Sequence, residues 1–177
     1  MELEILHWIQ GLHRDWLDPF MIFLSALGNG GIFWIMLSIV LVVPKRTRYC
    51  GVTMLGAMAL SFLLGNIILK NIIARPRPFS VDTSINLLVP KPGEYSFPSG
   101  HTLNGFTAAT VIFFYFKKSG MAALLLAGGI AFSRMYLFVH YPTDILGGLL
   151  LGIADAVAAY LIAKKIFTKY NQNNAIK

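Results

Sequence analysis

The chain is short of charge and of cysteine, and each shortage removes a class of answer. Only 13% of its residues are Asp, Glu, Lys or Arg, against 56% hydrophobic and a mean hydropathy of +0.64. A soluble domain carries about 25% charge, so this surface calls for lipid as its main solvent. The single cysteine, Cys50, excludes an intramolecular disulfide. His-x3-His and Cys-His sets are missing, so no metal site and no cofactor are expected. No repeat or low-complexity tract divides the chain, which reads as one membrane-embedded domain over 1–177. The first nineteen residues hold acids and histidines where a cleavable leader has an apolar core, so no signal peptide is expected. The net charge of +7 invites a nucleic-acid reading. Its cations sit in short loops between apolar runs, however, so neither nucleic acid nor an obligate protein partner is expected.

What the chain has is a series of apolar runs. Residues 1–18 alternate Leu3, Leu6, Leu12 and Leu17 with acids and histidines, and carry Trp8 and Trp16. That pattern predicts an amphipathic helix lying in the membrane interface. Apolar runs follow at 20–43, 49–73, 99–117, 119–139 and 143–163, each long enough to cross roughly 30 Å of hydrocarbon. Backbone groups in lipid must be satisfied within their own segment, so these are helices. The expected fold is all-α, a bundle of five transmembrane helices. A sixth is counted if Gly28-Asn29-Gly30-Gly31 breaks the first run into a half-span.

Loop charge orients the bundle. Lys45, Arg46 and Arg48, then Lys117 and Lys118, then Lys164, Lys165, Lys169 and Lys177 occupy three regions without an acid. The positive-inside rule makes these cytoplasmic, including the 164–177 tail. The N-terminus, the 74–98 loop and the 140–142 turn are then extracytoplasmic, in the plasma membrane of a multi-pass protein.

Polar residues gather at that outer end. Lys70 and Arg77 follow the second run, Ser99-Gly100-His101 opens the third, and Ser133-Arg134, His140 and Asp144 span the fourth and fifth. A charge within a helix costs at least about 2.5–3.5 kcal/mol at mid-bilayer, less near the ends. Lys70, Arg77 and Arg134, three unpaired cations converging there, would repel one another; an anion resolves this, and phosphate suits the guanidinium fork. A helix N-terminus opened by Ser99 and Gly100 is a second anion-binding feature. Asp144, one turn after His140, can fix that ring's tautomer and leave the other nitrogen to attack phosphorus. His101 can protonate the departing oxygen.

Lys70-x6-Arg77-Pro78, Pro98-Ser99-Gly100-His101 and Ser133-Arg134-x5-His140-x3-Asp144 resemble the three signature motifs of the type 2 phosphatidic acid phosphatase superfamily, in order and at every key position. The resemblance covers roughly residues 20–163. It implies a metal-independent lipid phosphatase working through a phosphohistidine on His140. His101 would serve as acid and then base, Asp144 would support His140, and Lys70, Arg77, Ser99, Gly100 and Arg134 would hold the phosphate. The substrate would be a membrane lipid phosphate, best matched by undecaprenyl diphosphate. Phosphatidylglycerophosphate, phosphatidic acid and lipid A 1-phosphate are alternatives, since nothing in the sequence reads the tail. A lipid-headgroup transporter or flippase using the same cations is the rival from another class.

Other residues read more plainly. Arg75 is expected to be an ordinary interfacial cation, and Asp155 a structural hydrogen-bonding group deep in the bundle. Asn66 and Asn104 lie one turn below Lys70 and His101, as packing or supporting groups. Gly128-Gly129, Gly147-Gly148 and Gly152 should permit close helix packing. Leu87-Leu88-Val89, in the 79–97 loop, either dips into the interface or packs as an ordinary loop.

Overall fold

The computed structural model describes residues 1–175, and every apolar run is helical. Helix α1 spans Glu2–Gln10 and α2 Leu17–Leu27; a tight turn at Asn29–Gly31 leads into α3, Ile32–Val42. Helix α4, Arg48–Ser61, passes through a π-helical stretch, Phe62–Leu69, into α5, Lys70–Ile73. After the short α6, Pro78–Val81, come α7, Gly100–Tyr115; α8, Lys117–Tyr136; and α9, Pro142–Ala175. Among the described residues there is no strand.

Local chemistry explains the breaks. Gly30 and Gly31 take positive φ of 60° and 68°, conformations that side chains disfavour, and α2 meets α3 at a 43° bend. The Gly-rich break expected in the first run is therefore real. Helix α5 stops at Ala74, itself left-handed at φ 45°, and Pro76 and Pro78 then deny the backbone the donors a helix needs. Pro78 and Pro142 instead open α6 and α9, where the missing N–H costs nothing.

By length and composition, the run Arg48–Val81 and the segment Pro142–Asn173 suffice to cross a membrane, and a third crossing arises if α2 and the segment after its bend count as one. Helices α7 and α8 fall outside that measure. Helix α7 has 16 residues, roughly 24 Å of rise, while α8 begins with Lys117-Lys118-Ser119-Gly120 and ends near Arg134.

Helix α7 is central, packed against α4, α8 and α9. Glycines allow the approach of α9: a Cβ at Gly148 would lie 2.8 Å from the Ser99 carbonyl, and one at Gly152 2.8 Å from that of Leu103. Trp34, Met54, Ala108, Ala127 and Ile130 fill the mid-bundle core. Asp155 makes the structural hydrogen bond expected of it, accepting from Ser61 Oγ at 2.7 Å, with Thr107 joined to Ser61 at 2.7 Å.

A second core lies at the other end of α8, and it corrects the reading of the N-terminus. The helix there covers Glu2–Gln10 rather than 1–18, because the chain turns at Gly11 before α2 begins. Leu6 and Ile9 are buried against Tyr136, Phe138 and Val139, so α1 is docked on protein along one face. Trp8 and Trp16 face outward. Leu87 and Val89 pack on the same cluster, which makes their loop an ordinary packed one apart from exposed Leu88.

Candidate active site

Six of the eight residues singled out from sequence line one cavity of about 590 Å³: Lys70, Arg77, Gly100, His101, Arg134 and His140. Asn66 and Asn104 line it too. Ser99 and Asp144 are fully buried behind the wall. Ser99 Oγ accepts from Thr102 Oγ1 at 3.1 Å, and Ser99 N donates to the Asp144 carbonyl at 3.1 Å, so it ties the start of α7 to the start of α9.

Three cations reach the cavity from three elements, each only 5–6% exposed. Lys70 Nζ does not stand unpaired, as the sequence suggested: it donates to Glu94 Oε2 at 2.6 Å. That hydrogen bond and the Lys70 charge hold the Glu94 carboxyl below its usual range. Arg77 donates through Nε to the Glu94 carbonyl at 2.6 Å and through Nη1 to the Val139 carbonyl at 2.8 Å. Arg134 donates to Ser25 Oγ, and its buried Nε has no partner among the described residues. A buried guanidinium with an unmet donor beside a cavity is suited to an oxyanion.

His140 sits in the turn between α8 and α9, behind Phe138, which is held left-handed at φ 58°. Arg77 Nη1 lies 3.1 Å from His140 Nε2. A guanidinium can only donate, so Nε2 carries the lone pair and the proton belongs on Nδ1. Nδ1 faces Asp144 Oδ2 at 3.4 Å, a long contact. Burial pushes the His140 imidazole below its ordinary value; the Asp144 hydrogen bond opposes this, and Arg77 and Arg134 add to it. The ring is thus neutral, with its lone pair on Nε2.

Asp144 is held more firmly by other groups. Ser96 Oγ donates to Oδ2, Tyr141 N donates to Oδ2 at 2.9 Å, and Arg75 Nη1 donates to Oδ1 at 2.7 Å. This corrects the reading of Arg75 as an ordinary interfacial cation. Its guanidinium also meets Glu2 Oε2 at 2.6 Å and lies 3.9 Å over the Tyr141 ring.

Across the cavity, His101 Nε2 is 3.0 Å from Asn29 Oδ1, in the broken turn before α3. A Cβ at Gly28 would fall 2.5 Å from His101 Cδ2, so that glycine gives the imidazole its place. A Cβ at Gly100 would lie 3.1 Å from Asn66 Oδ1 and 3.9 Å from Lys70 Nζ, which puts the bare start of α7 beside the ammonium. Sequence reasoning missed Ser25, Asn29, Glu94, Ser96 and Glu2. Only Glu94 carried a signal, as the one acid between Asp82 and Asp144. The rest are short polar residues, or a terminal one, whose meaning depends on folding.

The assembled groups can bind a tetrahedral anion, offer a neutral imidazole nitrogen to it, and supply a second imidazole for proton transfer. Residues 51–167 match the PAP2 superfamily. An undecaprenyl-diphosphatase of Sulfolobus acidocaldarius is 36% identical over 137 residues, 77% of this chain and 66% of that protein, just short of two thirds of its length. Undecaprenyl-diphosphatase BcrC of Bacillus subtilis is 30% identical over 159 residues, covering 86% of this chain and 79% of the relative. The crystal structure of Aquifex aeolicus LpxE is similar with a TM-score of 0.80 at 31% identity, over 90% of this chain and 94% of that one. This chain belongs to the PAP2 superfamily and is a membrane lipid phosphatase.

Proposed function

We propose that the chain removes the terminal phosphate of a polyprenyl diphosphate, undecaprenyl diphosphate being the best match, through a phosphohistidine on His140. The observation that carries this reading is the meeting of Lys70, Arg77 and Arg134, nearly buried, with His101 and His140 around one cavity. The names of the relatives support the substrate. In the first step His140 Nε2 attacks phosphorus as the bond to the leaving oxygen breaks, and His101 gives that oxygen a proton. In the second, water attacks the phosphohistidine, His101 takes the water's proton, and inorganic phosphate leaves. Lys70, Arg77 and Arg134 stabilise charge on the equatorial oxygens, with the backbone at Gly100 beside them. Arg77 must turn from Nε2 toward phosphate as the nucleophile engages. Asp144 steadies the imidazole, which becomes cationic when phosphorylated.

The bundle crosses the membrane five times on this reading: α2 with α3, α4 through α5, then α7, α8 and α9. Acid-free basic loops at the far end support a cytoplasmic C-terminal segment and an extracytoplasmic site. Phosphate release by purified protein in detergent, with EDTA present, tests the proposal against a panel of undecaprenyl diphosphate, phosphatidylglycerophosphate, phosphatidic acid and lipid A 1-phosphate. Metal-independent turnover, fastest on the polyprenyl substrate, is expected. Inactivity of folded protein on the whole panel would overturn the enzymatic reading; preference for another lipid would overturn the substrate.

A further inference from the structure

The N-terminal helix reaches the site at a point that the three motifs do not include. We propose that Glu2 and Arg75 are positioning residues for the reaction at His140, with Glu2 setting the charge and direction of the Arg75 fork that holds Asp144. The inference rests on the phosphohistidine reading of the site. It makes α1 a working part of the enzyme as well as a contact with the membrane.

Glu2 is bound by two elements at once. Its Oε1 accepts from Thr143 N at 3.1 Å and Thr143 Oγ1 at 2.7 Å, and its Oε2 accepts from Arg75 Nη2 at 2.6 Å. Arg75 Nη1 donates in turn to Thr143 Oγ1 at 2.6 Å and Asp144 Oδ1 at 2.7 Å. Charges therefore alternate from Glu2 through Arg75 to Asp144 and end at His140. The register of α1 is fixed by Leu6 and Ile9 beneath it and by Gln10 Nε2, which donates to the Tyr136 carbonyl at 2.8 Å. The docking surface under α1 is thus the 136–141 turn that presents His140.

Asp144 has two oxygens and competing claims on them. Oδ2 must accept more strongly from His140 Nδ1 as that ring becomes cationic, and the contact begins long, at 3.4 Å. An Arg75 without its Glu2 partner would draw the carboxylate toward Oδ1 and neutralise it, leaving the group without the one net negative charge that favours the imidazolium. With Glu2 in place the fork pins Oδ1 while its charge is balanced. Other groups facing this pair stay constant when Glu2 and Arg75 are changed: Arg77 beside Nε2, Arg134 and His101 across the cavity, and Ser96 on Oδ2.

The test uses full-length protein in lipid nanodiscs, with pH profiles of kcat and KM for Glu2→Gln, Arg75→Ala, Arg75→Lys and the double variant E2Q/R75A. Glu4→Gln, on exposed α1 surface, serves as the control expected to match wild type. Glu2→Gln should lower kcat roughly tenfold with KM within about twofold, as expected for one charge-assisted contact expressed in the transition state. Its acid limb should move to lower pH, because a less balanced Arg75 disfavours the imidazolium. Arg75→Ala should move that limb to higher pH, and the double variant should follow Arg75→Ala alone. Arg75→Lys keeps the charge without the fork and should lose kcat with little movement of the limb. Losses with an unmoved limb that multiply in the double variant would mean that α1 is scaffold only, overturning the inference. Wild-type behaviour in Glu2→Gln would also overturn it, while an active wild type keeps the phosphatase reading standing. Should Glu2→Gln fold poorly, Arg75→Ala carries the decision, since an acid limb that does not move to higher pH in it would equally overturn the inference.

Discussion

Both ends of this bundle are rich in cations, and they use them in opposite ways. At one end Lys70, Arg77 and Arg134 are nearly buried, held by Glu94, backbone carbonyls and Ser25, with one guanidinium nitrogen unmet. At the other, Lys45, Arg46, Arg48, Lys117, Lys118, Lys164 and Lys165 are exposed. Arg48 merely caps the carbonyls of Val42 and Val43, and Tyr49 stacks on Phe167 at 4.2 Å. Charge in water is screened and weak; the same charge in a low-dielectric wall is a strong demand for a partner. Sequence position assigns the two sets to opposite ends but does not say how each is used. Burial does.

The contrast can be broken by mutation. Removing a buried cation should have the largest effect: Arg134→Ala should lower kcat/KM about 10²–10³-fold, measured by phosphate release. His101→Ala should cost about 10²-fold or more as a proton donor is lost, and should cost less with a leaving group that needs no proton. A loss independent of the leaving group would remove His101 from that role.

Glu94 tests what sits between the two sets, being a mostly exposed acid on a buried lysine. Glu94→Gln should leave kcat nearly unchanged and lower KM by about threefold, since one competitor for Lys70 is removed. Because Lys70 depresses the Glu94 carboxyl, the pair's contribution to stability is present above the ordinary glutamate value, about 4.3, and is lost as pH falls through the depressed folded value. The difference in Tm between wild type and Glu94→Gln should therefore shrink in acid. Least of all, Lys164→Gln with Lys165→Gln should leave kcat within about twofold, as expected of exposed surface sites; a tenfold loss would end the distinction between the two ends.

How much of this was legible in the sequence depends on the kind of signal. Apolar runs placed the helices, since lipid leaves a backbone no other way to satisfy itself. Glycine and proline marked the breaks at Gly30-Gly31, Pro76 and Pro142. Lys70, Arg77, His101, Arg134 and His140 stood out because charge or imidazole beside an apolar run is conspicuous. Ser96 and Ser25 did not, being small hydroxyls in ordinary contexts. Arg75 was misread because its value comes from Glu2, 73 residues away in sequence. The unpaired state expected of Lys70 failed for the same reason, with Glu94 brought from a loop that has no periodicity to follow.

The central claim is that His140 becomes covalently phosphorylated. Burial keeps its imidazole neutral below the ordinary value of about 6.5, so the experiment can be run in mildly acidic buffer. Rapid-quench labelling with substrate carrying a radioactive terminal phosphate measures the intermediate directly. The account predicts an acid-labile, base-stable phosphoprotein, with label on the peptide containing His140 and none in His140→Ala. Phosphate release at the wild-type rate from His140→Ala, or turnover in which no protein-bound phosphate forms on that peptide, would contradict it.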